Sequence, residues 1–489
     1  MTPRNRSQRI AVPALLMALA AICVVLAVRA DAQEDDAVAP AGTSTQETAA
    51  PVTPVLSARR VPRVVAAPVG DQALRTDLDA IVASSPADSC LSVQRSGETV
   101  IDHRSDSALV PASNQKLVTG AAALIQLGPD HVLTTDVSAA TPPVNGVISG
   151  DLYFVGGGDP LLATDDYIAV FESQPQIHSD MEALADAVVA AGVTRVEGSV
   201  VGDESRYDAM RAVPSWPERY AEQNASGPLS ALSVNDGFAS YRKVSLMELD
   251  VTASEDPALE AAAVLTGLLR ERGVEIVGEP LSGVAPPGAT VVASLESQTI
   301  SEIVHEMNSE SDNTTAELLL KEIGLARRGE GTTTAGAAAV PEILAEAGLP
   351  VNGLVVADGS GLDTGNRVSC DLLLGILLAD GAEGPLSSNL SVAGQSGTLA
   401  ERFVGTPAEG RLTAKTGSLN EVTALSGWVL SEGGQNIAFA YVVNVPDGAS
   451  VSGEDLALQT ELGVALALWP EGIDVEALAP VSMPEAAED

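Results

Sequence analysis

A chain of 489 residues is too long for one small domain and calls for two or three units, each able to bury a core. With 45% hydrophobic and 19% charged residues it is globular apart from its ends. Its net charge of −40, from 66 acidic against 26 basic residues, excludes nucleic acid and anionic lipid heads as partners and suits a surface that stays hydrated in salt.

The chain opens on a targeting pattern. Arg4, Arg6 and Arg9 precede an uncharged stretch from Ile10 to Val28, and Ala30 and Ala32 supply the small residues of a cleavage site. This predicts a signal peptide over 1–32, cut after Ala32, and an extracytoplasmic (secreted, periplasmic or wall-associated) mature protein of net charge about −43. The alternative is an uncleaved anchor, the one route to membrane contact, because the apolar run reaches the lower limit of spanning length. Export leaves Cys90 and Cys370, which form either one bridge or two buried thiols.

Residues 33–70, rich in Ala, Pro, Thr and Val, read as a disordered linker, and the acidic tail at 471–489 has the same character. Alternation around "RSGE" predicts a hairpin near 89–103. "SNQKLVTGAAALIQL" then places Leu117, Val118, Ala121, Leu124 and Leu127 on one helical face, with Ser113 near the cap. From 141 to 295, short β-like runs alternate with Gly and Pro turns and predict an inserted, mostly β region. "TISEIVHEMNSESDNTTAELLLKEIGL" gives two helical runs broken by a loop around "NSESDN". Three strands follow in "RLTAKTG", "VTALSGWVL" and "NIAFAYVVNV", and "EDLALQTELGVALALW" closes the fold as a helix. One antiparallel sheet built from the first hairpin and the last strands joins residues 71–140 and 296–470 into a single domain around the insertion.

The chain owns only four lysines, Lys116, Lys243, Lys321 and Lys415, so each has more than the usual chance of being chemically required. Attack on an amide needs an activated hydroxyl, a base for its proton and donors for the oxyanion. His103, His131, His178 and His305 sit in no triad context, and there is no HExxH, paired-Cys metal spacing or P-loop, so no cofactor or metal is implied. "GGGDP" at 156–160 lacks the Lys-Ser/Thr of a phosphate cradle and reads as a turn. A buried lysine near a second cation can serve as base. Ser113 and Lys116, at i and i+3, share a helix face. Ser311, Asp312 and Asn313 in "SDN", and Lys415, Thr416 and Gly417 in "KTG", complete the set. A second S-x-x-K, Ser240 to Lys243, is rejected because the sequence behind it alternates like a strand.

S-x-x-K, S-D-N and K-T-G in this order resemble the motifs of penicillin-binding proteins and class A β-lactamases. With "DGSGLDTGNRVS", "GTLAERFVGT", "FVGGGDPLL" and "GPLSALSVND" beside them, the chain from about 75 to 470 is similar to the D-Ala-D-Ala carboxypeptidase/endopeptidase family, the low-molecular-mass class C penicillin-binding proteins. The resemblance implies an α/β (α+β) fold: a transpeptidase/β-lactamase-like domain with a five-stranded antiparallel sheet flanked by helices, interrupted between S-x-x-K and S-x-N. It implies a serine-type carboxypeptidase acting on peptidoglycan stem peptides and trapped covalently by β-lactams. Ser113 would be nucleophile, Lys116 base and Ser311 proton relay, while Asn313, Lys415, Thr416, Gly417 and Ser418 hold substrate. The turn from Asp358 to Gly361 either approaches the site or is purely structural, and Arg402 either helps to bind anionic substrate or, as the preferred reading, sits at the surface paired with a neighbouring carboxylate. A β-lactamase and a catalytically silent wall-binding or penicillin-sensing protein are the competing readings.

Overall fold

The computed structural model describes residues 61–170, 177–245 and 248–470; the signal segment, most of the linker and the acidic tail lie outside the described residues. A six-stranded antiparallel sheet runs in the order Ser391–Val392, Leu412–Leu419, Val422–Leu430, Asn436–Asn444, Asp88–Arg95, Glu98–His103. The five expected strands are there, and the sixth is a two-residue edge too short to show alternation. The central strands are buried on both faces, which explains why they read as continuous apolar runs.

Period-two alternation sends the two halves of each strand into different cores. Ala424, Ala438, Ala440 and Val442 face helices Gln115–Leu127, Ile300–Ser309 and Cys370–Asp380. Leu425, Phe439 and Tyr441 face the opposite way, against Leu458, Leu462 and Leu466 of the closing helix Gly453–Leu468. The same second core receives Leu74, Leu78 and Ile81 from a helix at Val61–Ser84. That helix corrects the linker reading from residue 61 onward: "VPRVVAAPVG" carries Pro, Gly and no period, and the apolar stripe begins only at Leu74.

The helices around the SDN loop fall where expected, at Ile300–Ser309 and Asn313–Arg328. Cys90, in the sheet, and Cys370, at the start of a helix, form a disulfide with Cα atoms 6.0 Å apart, which resolves the alternatives in favour of the bridge.

The inserted region is more mixed than "mostly β", and its sheet reaches past the expected bounds of 141–295, taking in Val132–Ala139 and the end of Thr290–Thr299. A five-stranded sheet, ordered Leu281–Ser282, Val200–Asp203, Leu152–Val155, Val132–Ala139, Thr290–Thr299, packs helices Met181–Ala190 and Pro257–Glu271 through Leu184, Val188, Ala261, Leu265 and Leu269. The second helix had its signals in the sequence: Asp256 caps the Leu259 N–H at 3.0 Å and Pro257 takes the first helical position. Among the described residues no helix is long and apolar enough to cross a membrane.

Candidate active site

Ser113 does not cap its helix. It occupies a 3-10 turn, Ala112–Asn114, and Asn114 precedes helix Gln115–Leu127 without a side-chain cap bond, so the Ser113 hydroxyl is free for other work. Ala112 holds φ +48°, a left-handed conformation costly for a residue with a Cβ, and the elements around it leave the turn no room to relax. A Cβ on Gly361 would come within 1.9 Å of the Ala112 carbonyl oxygen, and one on Gly417 within 2.7 Å of the Pro111 oxygen. Glycine at these two places lets the DGSG turn and the KTG strand press against the serine turn.

Lys116, one helical turn on, is completely buried. Its Nζ lies 3.2 Å from Ser113 Oγ and donates to Asn313 Oδ1 at 2.7 Å and to the Ser360 carbonyl at 2.8 Å. Burial lowers its pKa to about 8, against the pull of Asp312, Asp358, Glu317 and Glu306, which favour the cation. The expected lowering is there, but its main cause is desolvation. The repulsion between the two lysines falls on Lys415, whose buried Nζ has no hydrogen-bond partner among the described residues and is driven well below the usual lysine range by burial, then by Lys116.

The DGSG turn therefore reaches the site through its backbone. Glu317, fully buried, accepts the N–H groups of Gly359 at 2.9 Å and Ser360 at 2.8 Å, and so aims the Ser360 carbonyl at Lys116. Trp216 Nε1–H donates to Asp358 at 2.9 Å, tying the inserted region to the same turn. Asn313 opens helix Asn313–Arg328 behind the capping Asp312, and its Nδ2 donates to the Ala225 carbonyl at 2.6 Å. Ser311 sits at φ +62° in the loop before it.

These elements enclose a cavity of about 410 Å³ lined by Ser113, Ser311, Thr416 and Ser418, with Thr398, Arg402 and Leu456 beyond them. Thr416 donates to Thr398 at 2.9 Å. Ser113, Lys116, Asn313 and the KTG strand thus converge as predicted, whereas Ser240 is exposed on a strand, Phe238–Ser245. Arg402 corrects the expectation of a surface ion pair: it lines the cavity, and its Nη2 donates to the neutral Gln459 at 2.8 Å. Ser360 belongs to the turn that was given as approaching the site, whereas Thr398 and Glu317 were missed. Only Glu317 had a signal, four residues after Asn313 and so on the same helix face. A more apolar cavity of about 480 Å³, around Val213, Trp216 and Tyr220, holds no paired nucleophile and base.

Residues 74–248 and 245–459 match the D-Ala-D-Ala carboxypeptidase 3 (S13) family. The chain is 32% identical over 483 residues to a D-alanyl-D-alanine carboxypeptidase of Actinomadura sp. (strain R39), covering 82% of this chain and 86% of that protein. It is 31% identical to carboxypeptidase DacB of Mycolicibacterium smegmatis, over 68% of this chain and 71% of the relative. In fold it is similar to penicillin binding protein 4 (dacB) of Haemophilus influenzae, with a TM-score of 0.65 at 20% identity over 78% of this chain and 97% of that one. With the transpeptidase-like sheet and the three assembled motifs, these findings establish that the chain belongs to the D-Ala-D-Ala carboxypeptidase 3 (S13) family.

Proposed function

We propose that this serine-type D-Ala-D-Ala carboxypeptidase acts outside the cytoplasm on peptidoglycan stem peptides, through an acyl-enzyme on Ser113. The observation that carries the reading is the buried amine of Lys116, 3.2 Å from the Ser113 hydroxyl with a pKa near 8. A neutral amine has two N–H donors and one lone pair. Asn313 Oδ1 and the Ser360 carbonyl oxygen can only accept, so they take the two N–H groups and leave the lone pair facing Ser113. In that state the hydroxyl donates to Nζ, and the pair is set for proton removal.

Ser113 Oγ attacks the carbonyl carbon of the penultimate D-alanine while its proton passes to Lys116. Backbone N–H groups of Ser113 and Ser418 face the developing oxyanion. Collapse breaks the C–N bond, Ser311 relays a proton to the departing amine, and free D-alanine leaves. Asn313 orients Lys116, and Lys415, Thr416, Gly417 and Ser418 hold the substrate. Water then attacks the ester, giving its proton to Lys116, and Ser113 is regenerated. β-Lactams enter by the same attack, but their opened ring stays tethered to the acyl group. A β-lactamase would need a carboxylate poised on the deacylating water, and among the described residues no Asp or Glu lines the cavity.

The test is mass spectrometry of the mature protein after fluorescent penicillin, together with D-alanine release from muropeptides. Label on a Ser113 peptide and none in Ser113→Ala supports the reading. Label retained in the variant places the nucleophile elsewhere, with Ser240 the first suspect.

A further inference from the structure

The turn that carries Ser113 is held by more than its own backbone. Asparagine is among the best residues for capping a helix with its side chain, yet Asn114, placed just before helix Gln115–Leu127, makes no such bond. Its amide goes to the sheet instead. Nδ2 donates to Ser426 Oγ at 2.8 Å, across 312 positions, and both residues are fully buried. Ser426 lies on strand Val422–Leu430, directly opposite Lys415 in the antiparallel ladder. Residues paired in this way put their side chains on one face of the sheet, with Cβ atoms about 5 Å apart. The residue next to the nucleophile is therefore bonded to the side chain next to the KTG lysine.

Two further observations give this bond a role in the reaction. Ala112, at φ +48°, is strained, and a strained turn persists only where its surroundings over-determine it. A drift of about 1 Å in the nucleophile costs about a hundredfold in rate, so whatever pins the turn bears on the chemistry. The second observation concerns charge. Asn114 Oδ1 and Lys415 Nζ are both buried without a hydrogen-bond partner among the described residues. Aspartate has nearly the shape of asparagine and would accept a bond from the Ser426 hydroxyl, but it would also bring an anion to the lysine. The asparagine keeps the bond and withholds the charge.

We propose that Asn114 is a positioning residue for acylation: through Ser426 it fixes the nucleophile turn on the KTG strand and its neighbour, and as an uncharged amide it leaves Lys415 without a carboxylate in contact. This inference rests on the proposed acyl-enzyme at Ser113 and deepens it. Lys116 and Glu310 are the charged groups that act on Lys415, and Asp312, Asp358, Glu317 and Glu306 those that act on Lys116. One more carboxylate, placed at position 114, favours the ammonium form of both lysines, so the neutral base appears only at higher pH.

The experiment follows acylation of the mature protein by penicillin from about pH 6 to about pH 10, separating the binding constant from the acylation rate constant, in wild type, Ser426→Ala, Ser387→Ala and Asn114→Asp. Ser387 Oγ accepts from Trp428 Nε1 at 3.1 Å, two residues further along the strand of Ser426, and is the control for loss of a buried hydrogen bond. In Ser426→Ala the acylation rate constant falls about tenfold to a hundredfold while binding changes by less than about threefold. Ser387→Ala lowers the melting temperature to a similar degree and leaves the rate per folded molecule unchanged. Asn114→Asp keeps a bond to Ser426, so its rate at the alkaline plateau stays within about threefold of wild type, and the midpoint of its profile moves up by about one pH unit or more. An unchanged rate in Ser426→Ala, an equal fall in Ser387→Ala, or a profile of Asn114→Asp that coincides with wild type overturns the proposal. Wild type with no penicillin on the Ser113 peptide is a separate failure, read by mass spectrometry, and removes the acyl-enzyme together with what rests on it.

Discussion

Helix Asn313–Arg328 meets two fully buried lysines, and their surroundings differ in one respect. Lys321, on the helix itself, is paired with the Asp208 carboxylate and donates to the Met210 carbonyl at 3.2 Å. Lys116, met at the first residue of the helix, has an amide oxygen, a carbonyl and a hydroxyl, and no carboxylate in contact. A buried ammonium is costly unless an anion touches it. Lys321 is compensated and acts as a latch between the helix and the segment around Asp208. Lys116 is not, and its proton is held loosely enough to move. The chemistry of the site comes from what was left out of its surroundings.

The largest expected effect tests that contrast directly. Lys116→Met should slow acylation by fluorescent penicillin by about a thousandfold, while the melting temperature stays level or rises, because an uncompensated buried cation is gone. Lys321→Met should do the reverse. It breaks a pair whose carboxylate is 28% exposed, so a cost of about 1–3 kcal/mol is expected in urea unfolding, with the acylation rate per folded molecule unchanged. A Lys321→Met protein of normal stability that acylates slowly would end the comparison.

A smaller effect sharpens it. With the pKa of Lys116 near 8, the neutral base is the minor form at pH 7 and the major one at pH 9. Acylation at subsaturating penicillin should rise about tenfold between those values and then level off. A profile flat from pH 6 to 9 would mean that the amine titrates outside that range and that burial is not what tunes it.

Much of this was legible in the sequence because it is local. Ser113 and Lys116 are three residues apart, Ser311 and Asn313 are two apart, and the KTG strand carries its own alternation. What was not legible depends on contacts between segments distant in the chain. Ser360 reaches Lys116 through a backbone carbonyl, which no side-chain pattern encodes, across 244 positions. A surface place is the better expectation for Arg402 because most arginines belong there; only the fold shows its neighbour Phe403 buried against Gly463. The bridge from Cys90 to Cys370 spans 280 positions, and spacing could not bring the two together. Helix Pro257–Glu271 is a different case: its Asp256 cap and leading proline are local signals, set among Gly and Pro turns that point the other way.

The smallest expected effect concerns Glu317, which supports the site from below. Burial, and then Asp358, pushes its carboxyl up to about 8, and Oε2 has no partner while Oε1 holds the two N–H groups of the DGSG turn. The folded protein therefore keeps a proton there that the unfolded chain releases near the ordinary value of 4.5. The stability this contributes is fully present below about 4.5 and is lost as pH rises through about 8. Glu317→Gln keeps an acceptor oxygen for the turn and removes the titration, so its melting temperature should fall less than that of wild type between pH 5 and 8. Asp159, raised by burial to about 6, contributes a slope common to both proteins. A second consequence follows at Lys116, where a charged Glu317 favours the ammonium form. Without that charge the acylation profile of Glu317→Gln should move to lower pH. Parallel melting curves and coincident pH–rate profiles would show that Glu317 bears on the turn only through its hydrogen bonds.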